Sequence, residues 1–109
     1  MKTVMLWALV LVAVPSLAGA GEIYGSIKEN GKPVRDGLKV EVACGGKTVA
    51  GETDKFGAYR LFAQEEGKCT LTVRIGDERP AIAVRSFDDS ARYNLVLERK
   101  DGKYALRSE

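Results

Sequence analysis

Two cysteines, Cys44 and Cys69, are the residues whose type and spacing point most directly to chemistry. A cysteine pair can form a structural disulfide, a redox couple or part of a metal site. A redox couple favours the close Cys-x-x-Cys spacing, and these two stand far apart. A zinc site takes four ligands, and two thiols in a chain with no histidine do not supply them. The pair therefore reads as a disulfide, which requires an oxidising compartment. Closing a loop of about 26 residues is worth about 3.5 kcal/mol in the chain-entropy model.

The remaining candidates are weaker. Without histidine, neither a Ser-His-Asp nor a Cys-His arrangement can be assembled. A lysine–asparagine isopeptide needs a buried lysine, an amide and an acid. Asn94 is the amide to consider, but it alternates with Tyr93 and Leu95 and should face out if they face in. Lys39 and Glu41 oppose the apolar face of their own segment, so these read as solvated strand faces. Asp88-Asp89-Ser90 and Asp77-Glu78 offer oxygen ligands, yet neither shows the ligand series of a calcium loop and both read as turns. Among the tyrosines, Tyr59 and Tyr93 are in phase with apolar neighbours. Tyr24 and Tyr104 remain as candidates for stacking on a sugar. No cofactor and no metal site is expected.

The elements that must position these groups are short and extended. Leu38, Val40, Val42 and Cys44 alternate with polar residues. Cys69, Leu71, Val73 and Ile75 do the same, so both sulfurs fall in phase with an apolar face. Gly45-Gly46 reads as a two-residue hairpin turn and Asp101-Gly102 as another. Asp54 and Gly57 bracket a tight turn between Lys47–Glu52 and Ala58–Ala63. A single strand is expected over Ala91–Glu98. No window has sustained helical periodicity. The reading is all-β: a small immunoglobulin-like antiparallel sandwich of seven or eight strands in two sheets.

The amino terminus reads as a leader. Lys2 precedes an apolar run over residues 4–14, Pro15-Ser16 breaks it, and Ala18 and Ala20 are the small residues a signal peptidase accepts before a cut at Gly21. The run is shorter than the roughly 20 residues that span a hydrocarbon core. The organisation expected is a signal peptide over 1–20 and one domain over 21–109, exported to the periplasm or the extracellular medium without stable membrane insertion. Removing Lys2 leaves 16 basic against 15 acidic residues. That balance gives no electrostatic footprint for nucleic acid.

The domain resembles the carboxypeptidase regulatory-like family, which has a transthyretin-like sandwich. The likeness is carried by Gly25, Gly31-Lys32-Pro33-Val34, the Leu38-Val40-Val42 strand and Thr53-Asp54-x-x-Gly57-x-Tyr59-x-Leu61. It implies a structural turn motif of Thr53, Asp54, Gly57 and Tyr59 and an accessory or interaction role. Transthyretin-like enzymes that act on hydroxyisourate use histidines and a carboxy-terminal Tyr-Arg-Gly-Ser segment, which Tyr104-Ala105-Leu106-Arg107 does not reproduce. The expectation is that the chain is not an enzyme. It is expected to bind another exported protein, or alternatively a carbohydrate or cell-wall ligand.

Overall fold

The computed structural model describes residues 21–109, and these contain strands and turns but no helix. The expected leader, with Ala18 and Ala20, lies outside the described residues. The strands are β1 (Gly21–Glu29), β2 (Lys32–Pro33), β3 (Lys39–Cys44), β4 (Lys47–Glu52), β5 (Ala58–Ala63), β6 (Gly67–Arg74), β7 (Ala81–Ser86), β8 (Ala91–Arg92), β9 (Leu95–Lys100) and β10 (Lys103–Ser108). They form two sheets. One has four strands in the order β4-β3-β6-β7, all antiparallel.

The other has six strands around β1. Ile27 N donates to Gly57 O (2.9 Å) and Ile27 O accepts from Val34 N (3.1 Å), so β5 and β2 lie along the same side of β1. β8 and β9 pair along its other side, and β10 pairs with β9. Two expectations are corrected here. The sheet is not antiparallel throughout, because β1 pairs in parallel with β8 and β9. After β7 the chain leaves the four-stranded sheet and re-enters the other one running in the same direction as β1. The strand count is also higher, because the run from Ala91 is interrupted at Tyr93-Asn94 and because Lys32–Pro33 adds a short pairing.

The alternating residues fill the space between the sheets. Ile23 and Ile27 from β1 and Leu95 and Leu97 from β9 meet Val40, Val42, Leu71 and Val73 from the facing sheet, and all are buried. Each such side chain contributes about 1.5–3 kcal/mol by leaving water. Cys44 and Cys69 form a disulfide within this core. They are direct partners on β3 and β6, with Cα atoms 4.4 Å apart, the spacing of a non-hydrogen-bonded antiparallel pair. The bridge closes the excursion in which the chain runs through β4, crosses to β5 in the other sheet and returns.

No helix among the described residues is long and apolar enough to cross a membrane.

Candidate functional site

The segment between β4 and β5 sets the position of one flank of the sandwich. Thr53 is buried, and its hydroxyl donates to Arg35 O (2.8 Å) while accepting from Leu38 N (3.0 Å). Its own amide donates to Leu38 O (2.9 Å). Thr53 thus ties the loop before β3 to the start of the turn. Asp54 follows, and its Oδ1 accepts from Phe56 N (2.8 Å) and Ala58 N (3.0 Å). Gly57 closes the turn at φ 74°, where a Cβ would lie 2.7 Å from Ile27 O. Only glycine combines that backbone conformation with so close an approach.

Tyr59, two residues on, is buried, and its hydroxyl donates to Tyr93 O (2.6 Å). That bond belongs to a local break in the sheet. Gly25 has φ 155°, and a Cβ there would lie 2.0 Å from Tyr93 O. The Tyr93 carbonyl therefore presses against β1, and a phenol from β5 satisfies it. Asn94 completes the break by accepting from Ser26 N on its Oδ1 (3.2 Å). This corrects the reading of Asn94 as an outward, solvated residue: it is half-buried and replaces a backbone acceptor where the strand is interrupted.

Burial, with Tyr93 nearby, pushes the Tyr59 phenol well above its ordinary value near 10. Its proton is held more tightly in the folded than in the unfolded chain. The associated stability is complete below pH about 10 and declines as pH rises above it. Tyr59→Phe is expected to leave the Tyr93 carbonyl without its donor and to cost about 1–3 kcal/mol. Denaturant titration at neutral pH measures that loss. Repeating it above pH 10 should show a shallower alkaline decline in the variant than in the wild type.

The outer face of the six-stranded sheet carries a cluster of charged groups around Tyr24. Tyr24 projects there between Arg60, its partner on β5, and Arg92, its partner on β8. The Arg92 guanidinium lies 5.4 Å from the Tyr24 ring centre, within cation–π range. Glu22 pairs with Arg60 (2.5 Å) and accepts from the Ser90 hydroxyl (2.7 Å). Arg92 has no carboxylate partner among the described residues. A shallow groove of about 770 Å³ runs beside these groups, past Ser26, Asp54 and Asn94. Phe62 projects from the same face of β5 and is 56% exposed, and Phe56 is exposed at the tip of the preceding turn.

Alternation along β5 turns the backbone amides and carbonyls of Arg60 and Phe62 away from β1, because Gly57 O is the group that faces it. This leaves an open edge beside the groove. The opposite flank differs. On β7, Pro80 O accepts from Val73 N (3.0 Å), so Arg85 presents its backbone outward. The Tyr93 hydroxyl takes both groups, accepting from Arg85 N (2.8 Å) and donating to Arg85 O (3.1 Å). On β10, the outward amide of Tyr104 donates to Glu78 Oε1 (2.7 Å). Two side chains thus occupy backbone positions that another strand would need.

The other sequence candidates fall elsewhere. Tyr104 packs against the core with Arg99 4.5 Å from its ring, so of the two sugar-stacking candidates only Tyr24 borders the groove. Asp89 accepts from Ser90 N (2.8 Å) within its own loop. Glu78 is engaged by β10. Sequence reasoning missed Arg60 and Arg92, because their place beside Tyr24 depends on which strands flank β1. Their strand phase was readable, but their neighbours were not.

No protein-family model matches this sequence, and no curated protein matches it. Solved structures do resemble it. The Bacillus anthracis TIE protein matches with a TM-score of 0.60 at 16% identity, over 74% of this chain and 17% of that one. Klebsiella pneumoniae 5-hydroxyisourate hydrolase matches with a TM-score of 0.56 at 17% identity, over 82% of this chain and 98% of that one. This chain therefore spans only 17% of the length of the first and nearly all of the second. At these identities the likeness is one of fold, which is transthyretin-like. It also corrects the expectation that the chain is not an enzyme. A hydrolase is built on this framework along nearly its whole length, so the architecture leaves catalysis open.

Proposed function

We propose that the chain is an exported β-sandwich accessory module that binds another exported protein along the β5 flank. The observation that carries this reading is the asymmetry between the two flanks. β5 offers the backbone of Arg60 and Phe62 beside an exposed Phe62 ring, whereas Tyr93 and Glu78 obstruct β7 and β10. An open edge binds an extended segment through main-chain hydrogen bonds, and pockets beside it select side chains. The Tyr24 groove, lined by Glu52 and Asp54 as well as by Arg60 and Arg92, supplies such selection, and Arg92, free of any carboxylate partner among the described residues, is the group that would take an acidic side chain of the partner. Export is supported by the leader-like residues 1–20 and by the buried disulfide, which belongs to an oxidising compartment.

The test is capture from the host's exported protein fraction, with photo-cross-linking from position 62. Wild-type protein should retain a defined partner. Phe62→Asp should reduce capture at least about tenfold, the scale of one lost anchor residue. Ala83→Asp, on the outer face of the other sheet, should leave capture unchanged. Equal loss in both variants, or binding to insoluble polysaccharide that depends on Tyr24, would replace this reading.

A further inference from the structure

Ser86 is only 2% exposed, and its hydroxyl has no hydrogen-bond partner among the described residues. Such an orphaned group is costly in a folded protein. It sits where the end of β7 meets the start of β1. A Cβ on Gly21 would lie 3.1 Å from Ser86 Oγ and 1.8 Å from Phe87 O. Two oxygens thus converge on the backbone of Gly21, and any side chain there would collide with one of them. Gly21 is itself buried and pairs with Ala63 on β5.

We propose that Ser86 Oγ and the Phe87 carbonyl form a receptor for the α-ammonium group that leader removal creates on Gly21. This rests on the export reading above. In the step itself, a peptidase adds water across the Ala20–Gly21 peptide bond. The bond breaks to give a carboxylate on Ala20 and an amine on Gly21, which takes up the released proton near neutral pH. The consequence is a change in donors. Within an intact chain Gly21 has one N–H. The alternation that turns Ile27 toward β5 turns Gly21 the same way, so that N–H is directed at β5. The ammonium has two more N–H groups, and rotation about the N–Cα bond turns them toward the two oxygens that crowd the Gly21 Cα. Ser86 thereby gains its missing partner, and the cationic donor makes both bonds stronger than neutral ones. Glycine at position 21 then serves two ends: it is small enough for the cut and small enough for the seat.

The test compares two proteins of the same sequence from Gly21 to Glu109, one with a free amino terminus and one Nα-acetylated at Gly21. Each is made with Ser86 and with Ser86→Ala, and the four unfolding equilibria are measured by denaturant. With the free terminus, Ser86→Ala should raise the unfolding constant about tenfold, as for loss of a hydrogen bond to a charged group. With the acetylated terminus, the same change should have little effect. Equal effects of Ser86→Ala in both backgrounds would overturn the proposal. The intact mass of protein from the host tests the premise separately. A start other than Gly21 would sink the export reading at this position, whatever the four equilibria show.

Discussion

The Cys44→Ala/Cys69→Ala variant is expected to melt well below the oxidised protein. The bridge closes a loop of about 26 residues, for which the chain-entropy model gives about 3.5 kcal/mol. In a domain of this size 1 kcal/mol moves the midpoint by about 4–8 °C, so the fall should be on the order of 15–25 °C. The geometry makes the effect more than entropic, because both sulfurs are buried and their removal leaves unfilled core between β3 and β6. Wild-type protein melted with a thiol reductant separates the two contributions, since it loses the bond but keeps the sulfur atoms. The reduced wild type should melt between the oxidised protein and the double variant. An unchanged midpoint in the double variant would show that the β3–β6 pairing holds the chain without covalent help.

The second large effect is expected at Gly25. Alanine there would place a carbon 2.0 Å from Tyr93 O, which no side-chain rotation can relieve because both atoms belong to or adjoin the backbone. Relief requires β1 to move away from the Tyr93-Asn94 segment, and that breaks the Tyr59–Tyr93 and Ser26–Asn94 hydrogen bonds together. The expected loss is about 3 kcal/mol or more, from strain and unsatisfied groups combined. Near-ultraviolet circular dichroism and denaturant titration measure it. Ser26→Ala is the companion variant. It keeps the backbone donor to Asn94 and removes only the long 3.5 Å contact from the Ser26 hydroxyl to the same oxygen, so stability should change by less than about 1 kcal/mol. A Gly25→Ala protein as stable as Ser26→Ala would mean that the break is soft.

The contrast between Gly25 and Cys44 shows which features could be read from the sequence. Cys44 and Cys69 each lie in phase with an apolar series, and period-two alternation assigns a residue to a face without any knowledge of its neighbours. The same rule places Leu71, Val73, Leu95 and Leu97 inside. It does not say which strand lies beside which. The parallel pairing of β1 with β8 and β9 is invisible to it, since direction and adjacency depend on how the chain crosses between sheets. Alternation fails at Asn94 for a related reason. Alternation presumes an unbroken strand, and the interruption at Tyr93-Asn94 lies where the Tyr93 carbonyl meets Gly25, 68 positions earlier in the chain. The groove shares this limit, because Tyr24, Arg60 and Arg92 come from three strands and meet only through register.

The phenol of Tyr93, seated on the backbone of Arg85, also governs what this molecule can become in a crowd. A sandwich that accepts a strand on either flank is a link, and links add end to end without limit. With Arg85 of β7 covered by Tyr93 and Tyr104 of β10 by Glu78, a strand arriving on that flank meets a side chain at one backbone position of each edge. Pairing is thereby disfavoured on that flank relative to β5, and a domain that pairs on one flank ends a row rather than extending it. At the concentrations of a densely filled compartment, that difference separates a finite complex from a fibre.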